Sequence, residues 1–160
     1  MLSIQNQKLL YELQNNKYVL RMKNFKQHGF VNTYQHCCNV TTTAILIADK
    51  LKLSDHKIQN IIVGAMLHDF YLYEYHGKRM RKYGLHAISH PFIATIKANR
   101  YFDLTKKQKN IIKAHMFPST IFFMPKSIEA WIVNVSDKYC ALHELTYSTF
   151  HHKVWVVKFA

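Results

Sequence analysis

The stretch that decides this chain is GAMLHDFYLY, residues 64–73. Gly64-Ala65-Met66-Leu67 reads as the end of a buried helix, and His68 and Asp69 continue its inward face. Ile58, Ile61, Ile62 and Ala65 set that face at helical spacing, and Ser54-Asp55 supplies a start signal. A carboxylate on such a face costs free energy unless its charge is compensated. The compensation must come from a hydrogen-bond donor, a cation or a metal ion.

Helices are expected on both sides of this stretch. Residues 3 to about 26 carry two helical segments, with Gly29 as a stop signal. Asn32 or Thr33 can cap a helix to about Leu51, with His36, Val40, Ala44, Ile47 and Leu51 along one stripe. Thr105 can cap a helix to about His115, with Ile111, Ile112 and His115 inward. Pro125 and Ser127 open a last helix to about Glu144. On it Ile128, Trp131, Ile132, Val135, Tyr139 and Leu142 form one stripe, and Ala130, Val133, Cys140 and Ala141 form a second that includes Asp137. A helix apolar on both sides is expected to be central. Pro91 suits the first turn of a helix and disfavours helical geometry at His90, so His86 and His90 are not expected to share a helix face. HGKRMRKYG and FPSTIFFMP read as loops, and HHKVWVVKFA is ambiguous between strand and helix.

The chain has 160 residues, enough for one domain with a core, and only four Gly and three Pro. The expectation is an all-α, single-domain helical bundle over residues 1–160. Its N-terminal helices would lie at 3–28, its core motifs at about 30–144 and a tail at 145–160. Lys and Arg number 22 against 9 Asp and Glu, a formal charge of +13. Such a surface either attracts anions, nucleic acid among them, or simply keeps the protein in solution. Cys37, Cys38 and Cys140 form no C-x-x-C pair and read as small buried hydrophobes in a reducing cytoplasm. No apolar run approaches the roughly 20 residues of a membrane helix, so no membrane partner is expected.

Ligand-type side chains therefore converge on one core: His36, His68 with Asp69, His115 and Asp137, with His90 at a helix start. The inward faces carry no Arg or Lys to neutralise the carboxylates. A divalent metal would supply the shared counter-charge. The segments TYQHCCNVTTTAILIADKL, VGAMLHDFYLY, LHAISHPFIA, IIKAHM and VSDKYCALHE carry this order of His, His-Asp, His, His and Asp. In that order the chain resembles the HD-domain metal-dependent phosphohydrolases, and is similar to small single-domain bacterial HD proteins.

The resemblance implies that His36, His68, Asp69 and Asp137 hold one divalent ion. It implies that His90 and His115 serve a second, with Asp69 bridging and Ala94 allowing close packing. Iron or manganese is favoured among the ions this donor set admits, with zinc, nickel and cobalt as alternatives. Two ions are favoured over one. Asp69 and His68 are expected to serve catalysis as well as ligation, with Asp69 orienting a water that the metal acidifies from a pKa of about 16 toward about 7. His86 is left as a ligand, a phosphate contact or a supporting donor. One departure stands out: many relatives carry a Lys soon after the doublet, whereas here none follows before Lys78. Lys78, Arg79, Arg81 and Lys82 are the expected phosphate contacts. The activity implied is hydrolysis of a phosphate ester, of a nucleotide by preference. The rival is a non-catalytic HD protein that holds nucleic acid or nucleotide on its basic surface.

Overall fold

Helix starts fall where capping side chains stand. Asn32 and Gln35 form a reciprocal capping box, as do Thr105 and Gln108, each pair satisfying backbone N–H groups that a helix start leaves open. The structure is a computed structural model that describes residues 2–74, 86–151 and 155–157. Its helices are α1 (Ile4–Gln14), α2 (Lys17–Leu20), α3 (Thr33–Lys50), α4 (Asp55–Leu67), α5 (His86–Tyr101), α6 (Lys106–Ala114) and α7 (Ile128–His151), with a 3-10 turn at Arg21–Asn24. There is no strand among the described residues beyond a single antiparallel bridge between Lys26 and Asn32. The fold is all-α, as the sequence predicts.

α3, α4 and α7 form the centre, with α6 packed against α4 and α7, and α5 against α6. The core runs through Val40, Ala44, Ile61, Ile62, Met66, Leu67, Ile111, Ile112 and Val133. Gly64 lets α4 and α6 approach closely, since a Cβ there would overlap Ile111 Cγ2. That approach brings the C-terminal end of α4, which carries His68, beside the end of α6, which carries His115. Gly29, at φ 54, makes the turn that seats the segment before α3 against Ser148 of α7, and Ser148 Oγ accepts from the Phe30 N–H at 3.3 Å.

Three expectations are corrected. First, only the small-residue face of α7 turns inward. Ala130, Val133 and Cys140 are buried with Ile132, while Ile128, Trp131, Val135, Tyr139 and Leu142 are exposed. α7 is thus not enclosed on both sides. Small side chains let it lie close to α3, which carrying Asp137 to His36 requires. Second, α7 continues beyond Glu144 to His151, so the first part of the expected tail is helix. Third, α5 includes His86, ahead of Pro91, so His86 and His90 do share a helix. Their rings stack at 4.5 Å, and His90 Nδ1 donates to the His86 carbonyl at 2.7 Å. These local bonds hold a turn that the proline disfavours.

Candidate metal centre

Each predicted ligand is delivered by a helix or its end. His36 lies in the first turns of α3, His68 ends α4 with Asp69 next to it, and His90 lies on α5. His115 ends α6, and Asp137 lies on the inward face of α7. All six are buried.

The four imidazoles share one orientation. His68, His90 and His115 place Nδ1 2.7 Å from the carbonyls of Ala65, His86 and Ile112. A carbonyl only accepts, so each Nδ1 carries the proton and each Nε2 faces the centre. His36 Nδ1 meets the Glu144 carboxylate at 2.8 Å instead. Its Nε2 stands 3.0 Å from Asp137 Oδ1 and 3.9 Å from Asp69 Oδ2. His68 Nε2 lies 3.5 Å from Asp69 Oδ2 and 3.6 Å from Asp137 Oδ1. The other Asp69 oxygen, Oδ1, faces His90 Nε2 at 3.2 Å and His115 Nε2 at 3.5 Å. The Asp69 carboxylate therefore divides its two oxygens between two pairs of histidines.

Several of these groups are poorly served by protein alone. His68 Nε2 and Asp69 Oδ1 are buried and close no hydrogen bond within the described residues. His90 and His115 both spend Nδ1–H on a carbonyl, so their Nε2 atoms, 2.8 Å apart, meet lone pair to lone pair unless a proton or a metal ion joins them. His115 is a poor home for that proton: burial, then His68 and His90, push it down to about 3. Ligand atoms of His36, His68 and Asp137, and of His68, Asp69 and His115, lie within 4.8 Å of one another. The donors are imidazole nitrogens and carboxylate oxygens with orphaned lone pairs, a set that fits divalent transition ions.

Some participants carry no sequence signal. Gln27, on the irregular segment before α3, donates to Asp69 Oδ2. Its own Oε1 accepts from the hydroxyls of Tyr71 and Thr33. Tyr71 is therefore a buried support for the cluster. Lys97 reaches from α5 to the carbonyls of Tyr71 and Leu72, tying down the turn after the doublet. A cleft of about 380 Å³ opens on the cluster, lined by Asp69, His90, His115 and Asp137 and by His28, His86, Met116, Lys138 and Ala141. His86 contacts the Tyr73 hydroxyl through Nδ1 at 3.0 Å, stacks on His90 and lines the cleft. Lys138, next in sequence to Asp137, donates to the His115 carbonyl at 3.0 Å. Lys78, Arg79, Arg81 and Lys82 lie outside the described residues.

A family model for the HD domain matches residues 33–142. No curated protein and no solved structure matches the chain.

Proposed function

We propose that this chain, which belongs to the HD-domain family, hydrolyses a phosphate ester, of a nucleotide by preference, with divalent metal held in the His–Asp cluster. The observation that carries this reading is the divided Asp69 carboxylate, with one oxygen facing His36 and His68 and the other facing His90 and His115. His36, His68, Asp69 and Asp137 would hold one ion, and His90 and His115 would share Asp69 with a second. A divalent ion there would acidify a bound water and neutralise phosphoryl charge.

The chain's own residues do the positioning. Gln27 donates to Asp69 Oδ2 and is itself pinned by Tyr71 and Thr33, so the carboxylate cannot rotate away from its two histidine pairs. Asp69, with both oxygens turned to the histidine pairs, would orient a water at the cluster toward phosphorus. His86 and Lys138 line the cleft, where an ester's phosphate oxygens would enter. Lys78, Arg79, Arg81 and Lys82 would add cations on the chain segment between the doublet and His86.

The test is metal content first and turnover second. Protein purified without chelator should carry one to two ions of manganese, iron or zinc per chain, and Asp69→Ala should carry almost none. His115→Ala should lose only the second ion. A panel of nucleotide and aryl phosphate esters then identifies the substrate class. Wild-type protein that neither carries nor takes up metal overturns this reading.

A further inference from the structure

Glu144 is buried and forms no part of the predicted ligand set. It lies beyond the region matched by the family model, which ends at residue 142. A buried carboxylate is expensive to keep unless it is fully bonded. Here it is: Oε2 meets His36 Nδ1 at 2.8 Å and Oε1 accepts from Asn39 Nδ2 at 2.8 Å. Asn39 is itself saturated by the chain's C-terminal segment. Its Nδ2 donates again, to the Trp155 carbonyl at 2.9 Å, and its Oδ1 accepts from the Val157 N–H at 3.0 Å. The Trp155 ring stacks on His143 of α7 at 5.2 Å, which seats that segment.

We propose that Glu144 is a positioning residue for the metal ligand His36, and that residues 155–157 complete the device by holding Asn39 against Glu144. This rests on the reading of the His–Asp cluster as a metal centre. The comparison with the other three histidines defines the role. Their Nδ1 protons are held by neutral backbone carbonyls close in sequence, whereas that of His36 is held by a carboxylate from α7. A carboxylate fixes the same tautomer and turns the same nitrogen inward, and it also makes Nε2 a stronger donor to a cation. His36 is thus the ligand whose affinity for metal depends on a distant part of the chain. Through Asn39 that dependence extends to the backbone of the C-terminal segment.

Metal affinity, measured by competition with a chelator, reads this directly and needs no substrate. Losing an outer partner of a ligand histidine costs about 10-fold to 100-fold in metal affinity, so Glu144→Leu should weaken the site that His36 serves by that much. Glu144→Gln keeps an acceptor for Nδ1–H without the charge and should fall between Glu144→Leu and wild type. Val157→Pro removes the N–H that Asn39 Oδ1 accepts, and should weaken affinity several-fold, while Val157→Ala should not. The visible spectrum of the cobalt-loaded protein should shift in Glu144→Gln, because the donor strength of His36 changes. A role in folding alone would lower the melting temperature of the metal-free protein and leave cobalt spectrum and affinity unchanged. If Glu144→Leu does not fold, Glu144→Gln and Val157→Pro carry the test. Wild-type metal binding with unchanged affinity and spectrum in those variants overturns the relay alone. Absence of metal from wild type overturns it together with the reading it rests on.

Discussion

Among single residues, the charge state of His36 links stability to metal binding. In the metal-free protein burial opposes its protonation, yet hydrogen bonds to Asp137 and Glu144 prevail and hold its pKa up at about 10. Burial alone would raise Asp69 and Asp137, but the facing histidines keep both well below 3.8. The linkage signs are opposite. His36 contributes stability that is full below its ordinary value of 6.5 and is lost as pH rises through about 10. The two aspartates contribute stability that is present above 3.8 and is lost as pH falls toward their depressed values. A metal ion needs the Nε2 lone pair of His36, so its uptake expels a proton and its affinity rises with pH. Between about pH 7 and about pH 9 the metal-free protein should therefore lose melting temperature while the loaded protein holds or gains. The gap between the two curves should widen steadily. A gap that stays constant across that range would show that His36 gives up no proton to the metal and is not a ligand.

For helices, geometry turns on how closely axes approach. Gly64→Ala places a methyl against Ile111, a branched side chain in the buried core. Overpacking of this kind costs about 1–3 kcal/mol. It should also push α6 away from α4, and α6 carries His115. Urea denaturation should show the stability loss, and metal analysis should show depletion of the second ion before the first. A Gly64→Ala variant of wild-type stability and stoichiometry would mean that α4 and α6 have slack at this crossing. The same approach distances explain what was legible in the sequence. The ligands on α3, α4, α6 and α7 were readable because each sits on an apolar stripe at helical spacing, or one step beyond its end. The facing of α7 was not, because two apolar stripes on one helix look alike until a neighbour selects the one with small side chains. Gln27 and His28 lie on an irregular segment without a period, so nothing local marks them. Glu144 reads as an ordinary polar helix residue until α3 supplies His36 and Asn39. Pro91 misled because its cost is offset by contacts one turn apart, the His86–His90 stack and the bond from His90 Nδ1 to the His86 carbonyl, which the preference of single residues does not register.

Across the whole molecule the formal charge of +13 would govern how an anionic substrate arrives. Fields from exposed cations reach about 8–10 Å at moderate salt, enough to gather anions around a cleft mouth. The proposed collectors are Arg79 and Arg81, helped by Lys78 and Lys82, four cations within residues 78–82. Arginine pairs phosphate oxygens in a two-pronged fork, so the arginines should matter more than the lysines. Replacing both with alanine should raise KM for a phosphate-rich ester far more than for a small aryl phosphate diester. Metal content and kcat should stay near wild type, because these side chains neutralise charge on the substrate and move no proton. The KM penalty should shrink as salt rises, since screening already weakens the contacts that the variant lacks. Steady-state kinetics of both proteins on both substrates at low and high salt measures all of this. An equal loss on both substrates, or a loss of metal, would assign the segment to the fold. Duplex DNA or RNA that binds tightly, with a steep fall in affinity as salt rises, and that the arginine variant no longer binds, would assign the basic surface to nucleic acid instead. The metal centre would then serve that complex, and no nucleotide ester in the panel should turn over.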